Sequence, residues 1–340
     1  MKARKPEKML CLGIEGTAHT FGIGIADSEG KVLANKKDSY IPPQGMGIHP
    51  REAARHHSEI AHKLLTGALK EAGISAGSIS LISFSMGPGM GPCLRTAATM
   101  ARALSAFLSI PLVGVNHILA HIEIGRLITK AKNPIVLNLS GGTTQIVTYE
   151  EGRYRVMGET LDITVANCFD TFAREIGLHD PHSPWPGPVF DECASKGTSY
   201  VNLPYTVKGM DVSFSGLLTN ALDKAKKGYK HEDLCFSLQE TALAMITEIT
   251  ERALAHTGKT ELLLTGGFSR NKRLREKLKI MTEEHDAEFL VVPDEFATDN
   301  GAMIAWNGIL SYKNGITTPI EKSQVRPNWR VEQIEIPWIK

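Results

Sequence analysis

The strongest constraint on this chain is a layout that occurs twice. Residues 9–37, "MLCLGIEGTAHTFGIGIADSEGKVLANKK", read as an apolar strand, a glycine turn, an alternating strand, a second turn and a third strand. Residues 134–159, "PIVLNLSGGTTQIVTYEEGRYRVMGE", repeat that order with a Gly-Gly first turn. The alternation in "FGIGIA" and the polar glycine turns are hairpin signals. Helical patterns follow each copy, at 51–72 and 166–176, and a further apolar strand with a Gly-Gly exit, "ELLLTGG", stands at 261–267. Two related halves of mixed strands and helices predict a duplicated α/β fold with two lobes around a central cleft. The lobes are expected at 1–130 and 131–300, with the segment 300–340 packing back on the first.

At 340 residues the chain has room for about two domains. No apolar run reaches the length of a membrane span and no charged leader precedes an apolar stretch, so a cytoplasmic protein is expected. Cys11, Cys93, Cys168, Cys193 and Cys235 lack C-x-x-C spacing and read as reduced thiols in or near the core. A formal charge of +1 excludes a uniformly basic nucleic-acid binder. One local candidate remains, "SRNKRLREKLK" at 269–279, as either a nucleic-acid patch centred on Arg270, Lys272 and Arg273 or a solvated helix face.

Glycine turns suit phosphate, because backbone amides approach an anion there without a side chain in the way. Ser140, Gly141, Gly142 and Thr143 supply such a turn, as do Gly16 and Thr17 and the pair Gly266–Gly267; closing a hairpin is the competing use. A second chemical feature is "NHILAHIEIG" at 116–125. On a helix, His117 and His121 share one face and can present two nitrogens to a cation, or form a partly buried hydrogen-bonded pair. The position after His117 is Ile118, so the glutamate base of an H-E-x-x-H protease is missing.

The ordered set "IEGTA", "SMGPGMGPCLRTAATMARALS", "VNHILAHIEIG", "LSGGTTQIV", "GETLDITVANCFDTFAR", "LPYTVKGMDVSFSGLLT", "TGGFSRNKRLRE" and "DNGAMIAW" resembles the archaeal and eukaryotic tRNA N6-adenosine threonylcarbamoyltransferases, the catalytic subunits of the KEOPS complex. The resemblance implies a duplicated actin-like ATPase fold of the ribonuclease H-like type. It implies transfer of threonylcarbamoyl from threonylcarbamoyl-adenylate to N6 of the adenosine beside the tRNA anticodon. It also implies one divalent metal, iron or zinc, on His117, His121 and Asp299, with the aspartate contributed by the second lobe. The resemblance also places adenine nucleotide contacts on Asn138 and Leu139, on Ser140, Gly141 and Gly142 for the phosphates, on Asp170, Gly187 and Asp191 for the ribose and base region, and on Asn271.

Several positions depart from the family pattern. Asn138 stands where archaeal members carry a tyrosine whose oxygen approaches the metal, leaving direct ligation or a water bridge; Thr143 replaces an asparagine. The segment 178–192 is proline-rich and places Asp191 where glutamate is usual. Asp170 has a helix N-cap as its competing role, and Gly187 a turn. Glu15 is a weak catalytic candidate that could orient a water, and the general base stays unassigned. The implied partners are tRNA, a small protein kinase, a dimerising subunit and a small accessory subunit. No kinase motif follows "RPNWR" at 326–330, so that kinase is expected as a separate chain or a removed fusion partner. A small-molecule kinase of the same fold, which has no need of the histidine pair, and an ATP-gated scaffold are the rival readings.

Overall fold

The computed structural model describes residues 8–43, 47–178 and 187–339. Most of the proline-rich stretch after Leu178 therefore lies outside the described residues. The chain forms two compact units: the first comprises the described residues up to Pro42, those at 47–128 and those from Asp299 on, and the second spans Thr129–Thr298.

In the first unit, β1 (Leu10–Glu15), β2 (Thr20–Asp27) and β3 (Val32–Ser39) form an antiparallel meander. Then come α1 (Pro50–Ala72), β4 (Leu81–Gly87), α2 (Gly91–Leu108), β5 (Leu112–Asn116) and α3 (His117–Thr129). The sheet order is β3-β2-β1-β4-β5, with β4 and β5 added in parallel, so each addition requires a helical crossover. Leu12, Ile14, Phe21, Ile23, Ile82 and Phe84 join Ala97, Ala98 and Ala101 of α2 in its core.

The second unit repeats the plan. β6 (Ile135–Leu139), β7 (Thr144–Glu150) and β8 (Arg153–Glu159) form its meander. They are followed by α4 (Val165–Glu175), α5 (Gly187–Ser195), the short β9 (Val207–Lys208) and β10 (Asp211–Val212), α6 (Ser215–Lys226) and α7 (His231–Thr257). β11 (Glu261–Thr265), α8 (Lys272–Glu284), β12 (Glu288–Val291) and α9 (Asp294–Ala297) complete it. The order β12-β11-β6-β7-β8, with β11 and β12 parallel to β6, is the first sheet's topology over again. The duplication read from residues 9–37 and 134–159 is thus realised strand for strand. All five cysteines are free and buried.

The last helix, α10 (Gly301–Lys313), returns to the first unit. It lies directly on the backbone of β1 and β2: a Cβ on Gly13 would fall 2.2 Å from Ala305 N, and one on Gly24 would fall 2.1 Å from Ala302 N. The glycines of the alternating strand therefore form a docking groove for a helix. Asn300 caps that helix through Met303 N at 3.0 Å.

Candidate functional site

His117 opens α3 directly after β5, and His121 follows one turn later on the same face. Asp299 immediately precedes the cap of α10, so its place follows from the docking of that helix. The aspartate consequently belongs to the same unit as the two histidines, which corrects the expectation that it comes from the second lobe. His117 Nε2 lies 3.4 Å and His121 Nε2 3.2 Å from the same Asp299 oxygen, with the imidazole rings perpendicular at 4.7 Å. One donor atom from each residue falls within 4.8 Å of the others. The two nitrogen–oxygen separations match the edge of a tetrahedron with bonds of about 2.1 Å, and two nitrogens with a carboxylate oxygen are a donor set suited to a divalent transition metal that leaves positions open for substrate.

Glu15, at the end of β1, is fully buried beneath this set. Its Oε2 lies 3.1 Å from His117 Nδ1, while Oε1 accepts from Thr17 N at 2.8 Å and Thr17 Oγ1 at 2.5 Å. The carboxylate accepts the Nδ1 proton of His117 and so turns Nε2 toward Asp299, the usual outer partner of a metal-bound histidine. Burial disfavours charge on His117, but Glu15 and then Asp299 outweigh it and hold its pKa at about 10. Burial also works against the Asp299 carboxylate, yet His117 and His121 keep its pKa well below the ordinary range. His121 is pushed down by burial and by the neighbouring His117, against the bond to Asp299. A cation at this point would exchange with the imidazole protons that now face Asp299. Glu15 is a group that orients His117, a role invisible from residue spacing because 102 positions separate the pair.

The first glycine turn does not offer an anion cradle. Gly16 N donates to Ser85 Oγ at 3.0 Å and Thr17 N is used by Glu15, so its amides are already spent. The turn at 140–143 is different. Ser140 N and Thr143 O close it at 2.8 Å, leaving Gly141 and Gly142 exposed in open space. Thr164 Oγ1 donates to Gly141 O at 3.0 Å and accepts from Asn167 N at 3.1 Å as the cap of α4, which ties the turn to that helix's N-terminus. Free amides beside a helix N-terminus favour an anion. Leu139 is buried in the unit's core, so only its backbone reaches the turn. Asn138 lies in the second unit, fully buried, with neither side-chain polar atom hydrogen-bonded among the described residues.

Asp170, Gly187, Asp191 and Asn271 come together in the second unit. Asp170 sits inside α4, whose cap is Thr164, so it is no N-cap. A Cβ on Gly187 would lie 4.0 Å from its carboxylate. Asp191 Oδ1 accepts from Asn271 Nδ2 at 2.9 Å and from Gln239 Nε2 at 2.8 Å, and Asn271 Oδ1 caps α8 through Leu274 N at 2.8 Å. Gln239, on α7, escaped the sequence reading because nothing in its spacing links it to either partner. Burial raises the pKa of Asp170 to about 6, opposed by Arg174 and reinforced by Asp191. Burial likewise raises Asp191 to about 6, opposed by Gln239 and Asn271.

The basic segment at 269–279 is largely neutralised. Arg270 and Arg275 pair with Asp294, and Arg273 and Lys277 with Glu240. Lys272 forms no ion pair among the described residues, so the segment is a surface of mixed sign with one uncommitted lysine.

The duplicated sheets define the class: this chain has the actin-like ATPase fold. HypF from T. kodakarensis superposes over 91% of this chain and 48% of its own with a TM-score of 0.65 at 15% identity. The (R)-2-hydroxyglutaryl-CoA dehydratase component A of Acidaminococcus fermentans covers 91% of this chain and 100% of its own, with a TM-score of 0.55 at 13% identity. Residues 31–306 match the family TsaD, tRNA N6-adenosine threonylcarbamoyltransferase, and the chain belongs to that family. The tRNA N6-adenosine threonylcarbamoyltransferase of Thermofilum pendens is 53% identical over 328 residues, 96% of each chain. That of Archaeoglobus fulgidus is 53% identical over 330 residues, 97% of this chain and 100% of its own. A probable bifunctional tRNA threonylcarbamoyladenosine biosynthesis protein of Methanocaldococcus jannaschii is 53% identical over 98% of this chain, which spans 61% of that protein.

Proposed function

We propose that this chain transfers the threonylcarbamoyl group of threonylcarbamoyl-adenylate to N6 of the adenosine next to the tRNA anticodon, using a metal on His117, His121 and Asp299 and a nucleotide site in the second unit. The observation that carries this reading is the triad of two buried histidines and a half-buried aspartate, with His117 oriented by Glu15, in a chain matched to the family over residues 31–306. In the reaction N6 attacks the carbamoyl carbon, an N–C bond forms, the bond from that carbon to the phosphate oxygen breaks, and AMP leaves as N6 gives up a proton. When bound, iron or zinc would supply positive charge to the carbonyl oxygen as it becomes anionic. Glu15 and Thr17 hold His117 in the tautomer that coordination requires. The amides of Gly141 and Gly142, with the N-terminus of α4, hold the adenylate phosphate; Asp170 and Asp191 accept from the ribose hydroxyls. Asn271 and Gln239 fix Asp191 while that happens.

Docking of tRNA needs a cationic surface, and the ion-paired α8 does not supply one. The end of α6 does: Lys224, Lys226 and Lys227 form no ion pair among the described residues, and Lys224 lies 5.1 Å from the ring of exposed Tyr229. Unpaired lysines with an aromatic among them suit a phosphate backbone. Partner subunits, a protein kinase among them, complete the cytoplasmic assembly; no described helix is long and apolar enough to cross a membrane. Mass spectrometry of tRNA after incubation with threonylcarbamoyl-adenylate, the partner subunits and metal tests the reading. Modified adenosine that depends on metal and on His117 supports it, and its absence in the complete mixture refutes it.

A further inference from the structure

The chain between α10 and its end runs back across the first unit and makes three backbone contacts beside the metal triad. Arg326 N donates to Met86 O at 2.7 Å, and Gly89 N donates to Pro327 O at 3.1 Å, so the strap grips the loop after β4. The approach is close enough that a Cβ on Gly87 would lie 1.9 Å from Arg326 O. That loop continues to Met90 N, which donates to Thr17 O at 2.7 Å. Thr17 in turn holds the carboxylate that orients His117. The third contact goes to Asn116, the residue preceding His117 and 1% exposed. Its Nδ2 donates to Trp329 O at 3.0 Å, and its Oδ1 accepts from Leu119 N at 3.1 Å, in the first turn of the helix that carries both histidines.

Two routes therefore lead from one strap to the triad. One passes through the 87–90 loop, Thr17 and Glu15 to the ring of His117. The other passes through Asn116 to the start of α3. A helix end held only by its own cap can tilt or fray, whereas a cap tied across the unit fixes where the first turn points. We propose that Asn116 and the strap at 326–329 are positioning elements of the metal centre: they hold the start of α3 and the Thr17–Glu15 pair in the arrangement in which His117, His121 and Asp299 converge. None of these groups is a metal ligand. The proposal rests on the metal reading of the triad.

The test is titration of the full-length, metal-free chain with Co2+, read from its d–d absorption, and with Zn2+ in competition. Asn116→Ser keeps a cap acceptor for α3 but does not reach Trp329 O. Gly87→Ala disturbs the other route from a position that touches no metal donor. Thermal melts without metal identify how far each variant is destabilised as a whole. The expected result is that both variants fold and bind Co2+ about 10-fold or more weakly, with an altered absorption band, as for other losses of support outside the ligand shell. If Gly87→Ala does not fold, Asn116→Ser alone decides. Unchanged affinity and spectrum in Asn116→Ser, while His117→Ala with His121→Ala abolishes binding, overturns the positioning role and leaves the metal site standing. A wild-type chain that binds neither ion overturns the metal reading, and this proposal with it.

Discussion

Replacing Asp191 with asparagine should make the ligand-free protein more stable at neutral pH, and the gain should depend on pH in a defined way. Burial, opposed by the amides of Gln239 and Asn271, raises this carboxyl from 3.8 to about 6. Between those two values the folded protein binds more protons than the unfolded chain, so stability falls as pH rises through the window. The penalty is complete above pH 6. For an isolated group it reaches about 3 kcal/mol at pH 7, about 1.5 at pH 5 and about 0.5 at pH 4, as upper bounds. Asparagine keeps an oxygen for Gln239 and Asn271, carries no charge, and removes the repulsion that Asp191 exerts on Asp170. With about 2–4 °C per kcal/mol for a unit of this size, the variant should melt higher at pH 7, by at most about 6–12 °C, and nearly level with wild type at pH 4. Calorimetric or circular-dichroism melts of both proteins from pH 4 to 8, without nucleotide, measure the difference. A difference that stays constant across that range, or a variant less stable at pH 7, would refute the reasoning. The same change should weaken adenylate binding, because the carboxylate that destabilises the empty site is the one assigned to the ribose.

Alanine at both His117 and His121 should abolish stoichiometric metal binding, read by elemental analysis, and transfer activity with it. Valine at Gly142 meets open space within the protein; it should leave the melting temperature within about 1 °C and weaken adenylate binding about 10-fold or more, as seen by calorimetry. Reversing Lys224, Lys226 and Lys227 to glutamate should raise the tRNA dissociation constant and lower the log–log salt slope by about 2–3, while adenylate binding stays level. An unchanged salt slope would place tRNA elsewhere.

What could be read in advance follows the range of the interactions. The meanders, α1, α4 and the helix bearing the histidine pair are set by local periodicity and turns, and each formed where those signals stood. The contacts that turn the pair into a site are not local. Glu15 reaches His117 across 102 positions, and Asp299 arrives from a helix docked on glycines of β1 and β2. In the strand, Gly13 and Gly24 look like weak packing positions, and only the helix lying on them explains them. The turn at Gly16–Thr17 resembled the one at 140–142 in composition, yet hydrogen bonds to Ser85 and Glu15 consume its amides. Runs of charge mislead similarly: Arg270 and Arg273 are cationic in sequence and paired in space with Asp294 and Glu240. α7 has no clean apolar stripe because it is buried on most sides, so periodicity could not mark it.

The discontinuity of the first unit has a temporal side. A ribosome delivers Glu15, His117 and His121 early, then the whole uninterrupted stretch 129–298, and only afterwards Asp299 and α10. The second unit can therefore close while the first still lacks the helix that covers β1 and β2. A nascent chain stalled before Asp299 carries two of the three donors and an uncovered glycine groove. On the proposed metal reading, the third donor is thus made only after the whole of the second unit has been synthesised.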